Sequence, residues 1–96
     1  MTDAEVGEAE DTAPERGAMA RDVLEYVAKS IVDEPEDVTI DVDEGRRGEV
    51  LLSLRVASED MGKVIGRRGR VAQAIRSVVR AAGAREGEEV SVDIVD

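Results

Sequence analysis

Apolar residues between Pro14 and Asp33 recur at the helical period. Ala20, Leu24, Val27 and Ile31 share one face with Val23 and Ala28 beside them, and Arg21, Asp22, Glu25 and Lys29 fall mostly on the other. Pro35 ends this helix, because the residue before a proline disfavours helical geometry. The period then changes to two. Val38, Ile40 and Val42 alternate with Thr39, Asp41 and Asp43, which predicts a half-buried strand. Val50, Leu52, Leu54 and Val56 alternate with Leu51, Ser53 and Arg55 as a second strand. The connection Glu44-Gly45-Arg46-Arg47-Gly48 is short and polar, so the two strands read as a hairpin.

The helical period returns after Ser58-Glu59-Asp60. Serine is expected to cap free amides there, and two acids suit the first turn of a helix. A short helix carries Met61, Val64 and Ile65 inward and is interrupted at Gly66-Arg67-Arg68-Gly69. A longer helix follows, with Val71, Ala74, Ile75, Val78, Val79 and Ala82 on its apolar face and Gly83 placed to end it. Val90, Val92 and Ile94 alternate with Ser91 and Asp93 as a third strand. The order is α-β-β-α-α-β, an α+β class with two layers: a three-stranded sheet covered on one face by three helices. Thr39, Asp41, Ser53, Arg55, Ser91 and Asp93 are left for the solvated face of the sheet.

Composition narrows the chemistry. The 96 residues fit one domain. The expected division is a disordered acidic tail over residues 1–15 and one folded domain over 16–96. Phe and Trp are absent and Tyr26 is the only aromatic residue, so the core must be aliphatic. No cysteine or histidine is present, which removes disulfides, thiolate metal sites and the usual general base. No Gly-Lys pair has the spacing of a phosphate-binding Walker loop. Asp41, Asp43 and Glu44 lack the remaining ligands of a calcium loop. The reading is therefore not an enzyme, with no cofactor and no metal. No run of apolar residues is long enough for a membrane span. The acidic N-terminus lacks the apolar core of a secretory signal, so a cytoplasmic location is expected.

The formal net charge of −10 argues at first against a nucleic-acid partner, but the charge is segregated. Residues 1–45 carry fifteen acids and three bases. Residues 46–85 carry ten bases and three acids, and residues 86–96 carry five acids and no base. Screening limits a charge to about 8–10 Å, so a phosphate meets the local field and not the sum.

Two Gly-Arg-Arg-Gly runs lie in that basic stretch, and their contexts differ. Gly45 to Gly48 joins two strands and serves a turn. Gly66 to Gly69 joins two helices. Glycines at both ends of a two-residue loop let a phosphate backbone approach the protein backbone. The helix beginning near Arg70 offers unpaired amides and a positive dipole end. Lys63, Arg67, Arg68 and Arg70 add positive charge, and Val64 and Ile65 can offer an apolar surface to bases.

The run GKVIGRRGRVAQAIRSVVRAAG, within DMGKVIGRRGRVAQAI, resembles the core of a KH domain. In such domains a GxxG loop clamps about four nucleotides of single-stranded RNA. The extra helix and strand before the core resemble the type II arrangement. Over residues 18 to 96 the chain is similar to the small bacterial single-KH-domain RNA-binding proteins of the KhpA (YlqC-like) family. The resemblance implies that Gly66, Arg67, Arg68 and Gly69 form the RNA-binding loop and that Lys63 and Arg70 flank it. It also implies that Val64, Ile65, Val71 and Ala72 line the groove, with the strand from Val90 to Ile94 as its other wall. It further implies a post-transcriptional regulator or RNA chaperone, a homodimer, and a larger KH-containing RNA-binding partner.

The residues themselves leave alternatives open. Val64, Ile65, Val71 and Ile75 also suit a plain core. Arg76 and Arg80, four apart, suit either a phosphate track or a solvated helix face. Arg46 and Arg47 read as hairpin surface. Tyr26 has the chemistry to stack on a base, but its helical position favours partial burial. A protein-interaction module that dimerises through its helices, and a binder of single-stranded DNA, are the competing functions.

Overall fold

The structure, a computed structural model, describes residues 16–95. The expected acidic tail, residues 1–15, falls outside the described residues. The elements are α1 (Ala18–Ile31), β1 (Thr39–Glu44), β2 (Val50–Arg55), α2 (Met61–Ile65), α3 (Arg70–Arg85) and β3 (Val90–Ile94). Short 3₁₀ turns occupy Pro35–Asp37, Ser58–Asp60 and Arg67–Gly69. The order is α-β-β-α-α-β, and three helices cover one face of a three-stranded mixed sheet.

The sheet runs β1-β2-β3. β1 and β2 are antiparallel, with Thr39 opposite Arg55 and Glu44 opposite Val50. Their hairpin closes through the Gly45 amide, which donates to the Glu49 carbonyl at 2.8 Å. β2 and β3 are parallel, Val50 opposite Val90 and Leu54 opposite Ile94, so α2 and α3 form the crossover that parallel strands require. Alternation along β2 sends Val50, Leu52 and Leu54 into the core, where Leu24, Val64 and Val79 meet them. Burying one such side chain is worth roughly 1.5–3 kcal/mol, so a small aliphatic core can support the domain.

Four details differ from the sequence expectation. β1 is an edge strand with a neighbour on one side only, and Val42 is 36% exposed instead of buried. Tyr26, expected to be partly buried, is 75% exposed on α1. Ser58 opens a 3₁₀ turn that runs straight into α2, and no side chain caps that turn.

The fourth detail concerns α3. Its buried face is Ala72, Ile75, Val79, Ala82 and Gly83, whereas Ala74 is exposed and Val78 is 50% exposed. The cause is Gly83, which does not end the helix. A Cβ there would lie 2.4 Å from Val90 Cγ2, so this glycine lets α3 settle directly on β3. That contact sets the rotation of the helix, and Val78, about 140° away around the axis, turns outward. The helix ends two residues later, where the amides of Gly87 and Glu88 return to the carbonyls of Ala84 and Gly83.

Candidate nucleic-acid interface

The base of the Gly66 to Gly69 loop is fixed by a buried carboxylate. Asp60 has no exposed surface, and its two oxygens accept the backbone amides of Asp33 at 3.2 Å and Glu34 at 3.0 Å. Lys63, one turn on, places Nζ 3.1 Å from Asp33 Oδ2 and 3.6 Å from Asp60 Oδ1. Burial alone pushes the Asp60 carboxyl up. The two amides and Lys63 outweigh it and hold Asp60 below the ordinary Asp value. The hydrogen bond and charge of Asp33, with Asp60 behind them, raise Lys63 in turn. This clamp ties the connection between α1 and β1 to the start of α2. Sequence reasoning missed it, because its partners lie 26 and 27 residues apart along the chain. The only local sign is a lysine three positions after an aspartate.

α2 is five residues long, and its end is sealed by the Gly66 amide on the Gly62 carbonyl at 2.9 Å. Gly66 has φ 75° and ψ 173°, and a Cβ there would sit 2.3 Å from Val71 Cγ2. No other residue fits without displacing Val71. The Gly69 amide closes the loop on the Gly66 carbonyl at 3.1 Å, and Gly69 at φ 74° leads into α3. Arg68 between them has φ 58°, the one positive value outside glycine among the described residues. An L-residue in that region costs about 1–2 kcal/mol, and such strain concentrates at functional sites.

The loop therefore projects Arg67 and Arg68 into solvent, with Arg70 exposed on the first turn of α3. None of the three has an ion pair or side-chain hydrogen bond among the described residues. No side chain caps the first amides of α3. Ile65, 38% exposed, and the half-buried Val71 stand beside the loop as apolar surface.

Two expected groove residues sit elsewhere. Val64 is wholly buried in the core, and Ala72 is only 5% exposed. A five-residue helix must bury one face to hold its place, and Val64 is on that face. Ala72 shares the inward row with Ile75 and Val79. Both support the surface without forming it. Lys63 is held by two carboxylates at the base of the loop and is not part of the free arginine group.

β3 is the other edge of the sheet, separated from β1 by β2. The Val50 amide bonds the Glu89 carbonyl and the Val95 amide bonds the Leu54 carbonyl, both at 2.8–2.9 Å. In parallel pairing, bonding to the neighbour alternates along the strand. The odd-numbered residues of β3 thus face β2, and Val90, Val92 and Ile94 direct their backbone groups to the open edge. Arg76 crosses to this edge and donates Nε to the Val92 carbonyl at 3.2 Å.

A shallow depression of about 430 Å³ lies at the far end of α3. Glu88 and Glu89 beside Arg80 line it, a setting that does not suit a polyanion. No group of three or more Asp and Glu residues is arranged to hold a metal ion among the described residues. No helix there is long and apolar enough to cross a membrane.

The sequence profile described as "KhpA/KhpB, KH domain" matches residues 21–94, a stretch that takes in the loop, both flanking helices and all three strands. The chain belongs to this KH-domain family. The chain is 48% identical over 75 residues to the RNA-binding protein KhpA of Clostridium perfringens, covering 78% of this chain and 99% of that one. It is 50% identical over 78 residues to KhpA of Streptomyces coelicolor, covering 81% and 94%. Era of Aquifex aeolicus, in a variant bound to GDP and aluminium fluoride, superposes with a TM-score of 0.58 at 16% identity. Era in complex with a 16S ribosomal RNA segment gives 0.59 at 16%. These two likenesses concern the fold, and this chain spans 31% of either Era chain.

Proposed function

We propose that this protein binds short single-stranded RNA, with phosphates on the loop and bases on the surface between α3 and β3, and that it performs no catalysis. One observation carries this reading. Three arginines without a partner among the described residues, Arg67, Arg68 and Arg70, surround a loop whose Gly69 leaves the backbone open at the start of a sixteen-residue helix. That combination suits a phosphodiester chain better than any other ligand class. Ile65 and Val71 give the adjoining bases an aliphatic surface, which substitutes for the aromatic stacking this chain lacks. Its RNA-binding relatives make RNA the natural ligand over single-stranded DNA. A role as a post-transcriptional regulator or RNA chaperone follows from such binding, with Lys63, Val64 and Ala72 acting as supports behind the contact residues.

The test is a titration of isotope-labelled protein with short single-stranded RNA, followed by NMR, beside the double variant Arg67→Asp with Arg68→Asp. Shifts are expected from Ile65 to Val71, and the variant is expected to bind nothing while keeping a folded circular-dichroism spectrum. Absence of shifts at low salt would refute the reading.

Met19, Tyr26 and Val78, exposed on the neighbouring helices α1 and α3, favour a second reading in which the helical layer pairs with another protein or another copy. Seven residues separate Met19 from Tyr26, so both share one face of α1. The two readings use different faces and are compatible. A homodimer, or a pair with a larger KH-containing protein, would place two loops on one RNA and raise affinity through effective concentration. Sedimentation of the protein with and without Tyr26→Asp measures this directly.

A further inference from the structure

Arg76 is the cation on the α3 surface that is held in place by the fold. Its side chain is half-buried, and its Nε is fixed on the Val92 carbonyl at the open edge of β3. A guanidinium carries five N–H donors in one plane. One is used on Val92, and the other four have no partner among the described residues. The bond therefore does more than cover an edge carbonyl. It fixes the plane of the guanidinium beside the edge, about two turns down α3 from the loop. Phosphate oxygens can take such a fork too, but this one stands beside the open strand edge and away from the loop assigned to phosphates. A planar fork held in one orientation suits a partner that presents two acceptors side by side.

We infer that Arg76 is a base-reading residue, selecting RNA bases with two adjacent hydrogen-bond acceptors. Cytosine offers N3 and O2, and guanine offers O6 and N7. Uracil alternates acceptor, donor, acceptor along its pairing edge, and adenine sets N1 and N7 beside its amino group and leaves N3 alone, so neither matches the fork. The inference rests on the RNA-binding reading above and adds to it a preference and the residue that sets it.

The experiment measures affinities of the full chain for a short uridine RNA and for the same RNA with its central positions changed to cytidine, guanosine or adenosine. Cytidine or guanosine is expected to tighten binding about ten-fold over uridine, and adenosine is not. The two favourable arms show which base the fork takes. Arg76→Lys keeps the charge and loses the fork, so the ratio of cytidine or guanosine to uridine affinity is expected to fall to about one. A weakening shared equally by all four RNAs, with the ratio intact, would make Arg76 a phosphate contact and overturn the inference. Equal binding of all four RNAs by the unaltered protein would overturn it too. So would an Arg76 Nε–H NMR signal that moves equally with every RNA, a readout that stands even if Arg76→Lys does not fold. If the unaltered protein binds none of the RNAs, the RNA-binding reading itself is refuted.

Discussion

Two glycines of one loop make different demands. At Gly66 an added methyl meets both a positive φ of 75° and the Val71 side chain and amide, at 2.3 and 2.9 Å. At Gly69 it meets only the positive φ of 74°, since nothing lies within 4 Å. Gly69→Ala is therefore expected to cost about 1–2 kcal/mol. Gly66→Ala should cost clearly more, because Val71 must move as well, and urea denaturation of the two variants checks the order. Asp60 gives a second prediction. Its carboxyl is held below the ordinary value, so the clamp contributes fully above the unfolded value of about 3.9. That contribution fades as pH falls below this point and through the lower folded value. Asp60→Ala should lower the melting temperature by several degrees at neutral pH, and its difference from the unaltered protein should shrink below about pH 4. A gap unchanged down to pH 2 would show that the charge plays no part.

At the scale of elements, strands were easier to foresee than helix rotations. Strand alternation is a two-way choice, and Val50, Leu52 and Leu54 or Val90 and Val92 could only face one layer of helices. α3 carries apolar residues over a wide arc, so its sequence leaves the centre of the buried face open. The deciding contact is Gly83 on Val90, which no local pattern reveals because β3 arrives from beyond the helix. The loop was legible because helical patterns on both sides isolated it. Asp60 and the reach of Arg76 to Val92 were not, since their partners come from distant segments. The rotation is open to test. Ile75, 2% exposed, should lose about 2–5 kcal/mol on change to Ala. Val78→Ser, on the outward face, should stay within about 0.5 kcal/mol. Gly83→Ala should be costly even though alanine is the better helix former, and an increase in stability would contradict the close packing of α3 on β3.

For the whole molecule, the proposed binding of a polyanion has to be reconciled with a net charge of −10. The answer lies in the length of α3. Sixteen residues span about 24 Å, with the arginine loop at one end and Glu86, Glu88 and Glu89 just past the other. That separation exceeds two screening lengths at physiological salt, so the far acids barely reach the loop. Part of their charge is also used locally: Arg16 bonds Glu88 at 2.6 Å and reaches Glu44 and the Gly48 carbonyl, and it holds Glu88 below the usual carboxylate range. Near the loop, Lys63 pairs with both Asp33 and Asp60 and offsets one of their two charges, and the three positive charges of Arg67, Arg68 and Arg70 exceed the one left over. Binding should follow the loop and not the net charge. With three phosphates contacted, the logarithm of the affinity should fall with the logarithm of salt concentration at a slope of about −2. Arg70→Gln should reduce that slope by about 0.7. Charge reversal at the far end, Glu86→Lys with Glu89→Lys, should leave the slope near its original value at physiological salt. If that distant change steepened the slope as much as a loop arginine does, RNA would have to run the length of α3, and the site would extend well beyond the loop.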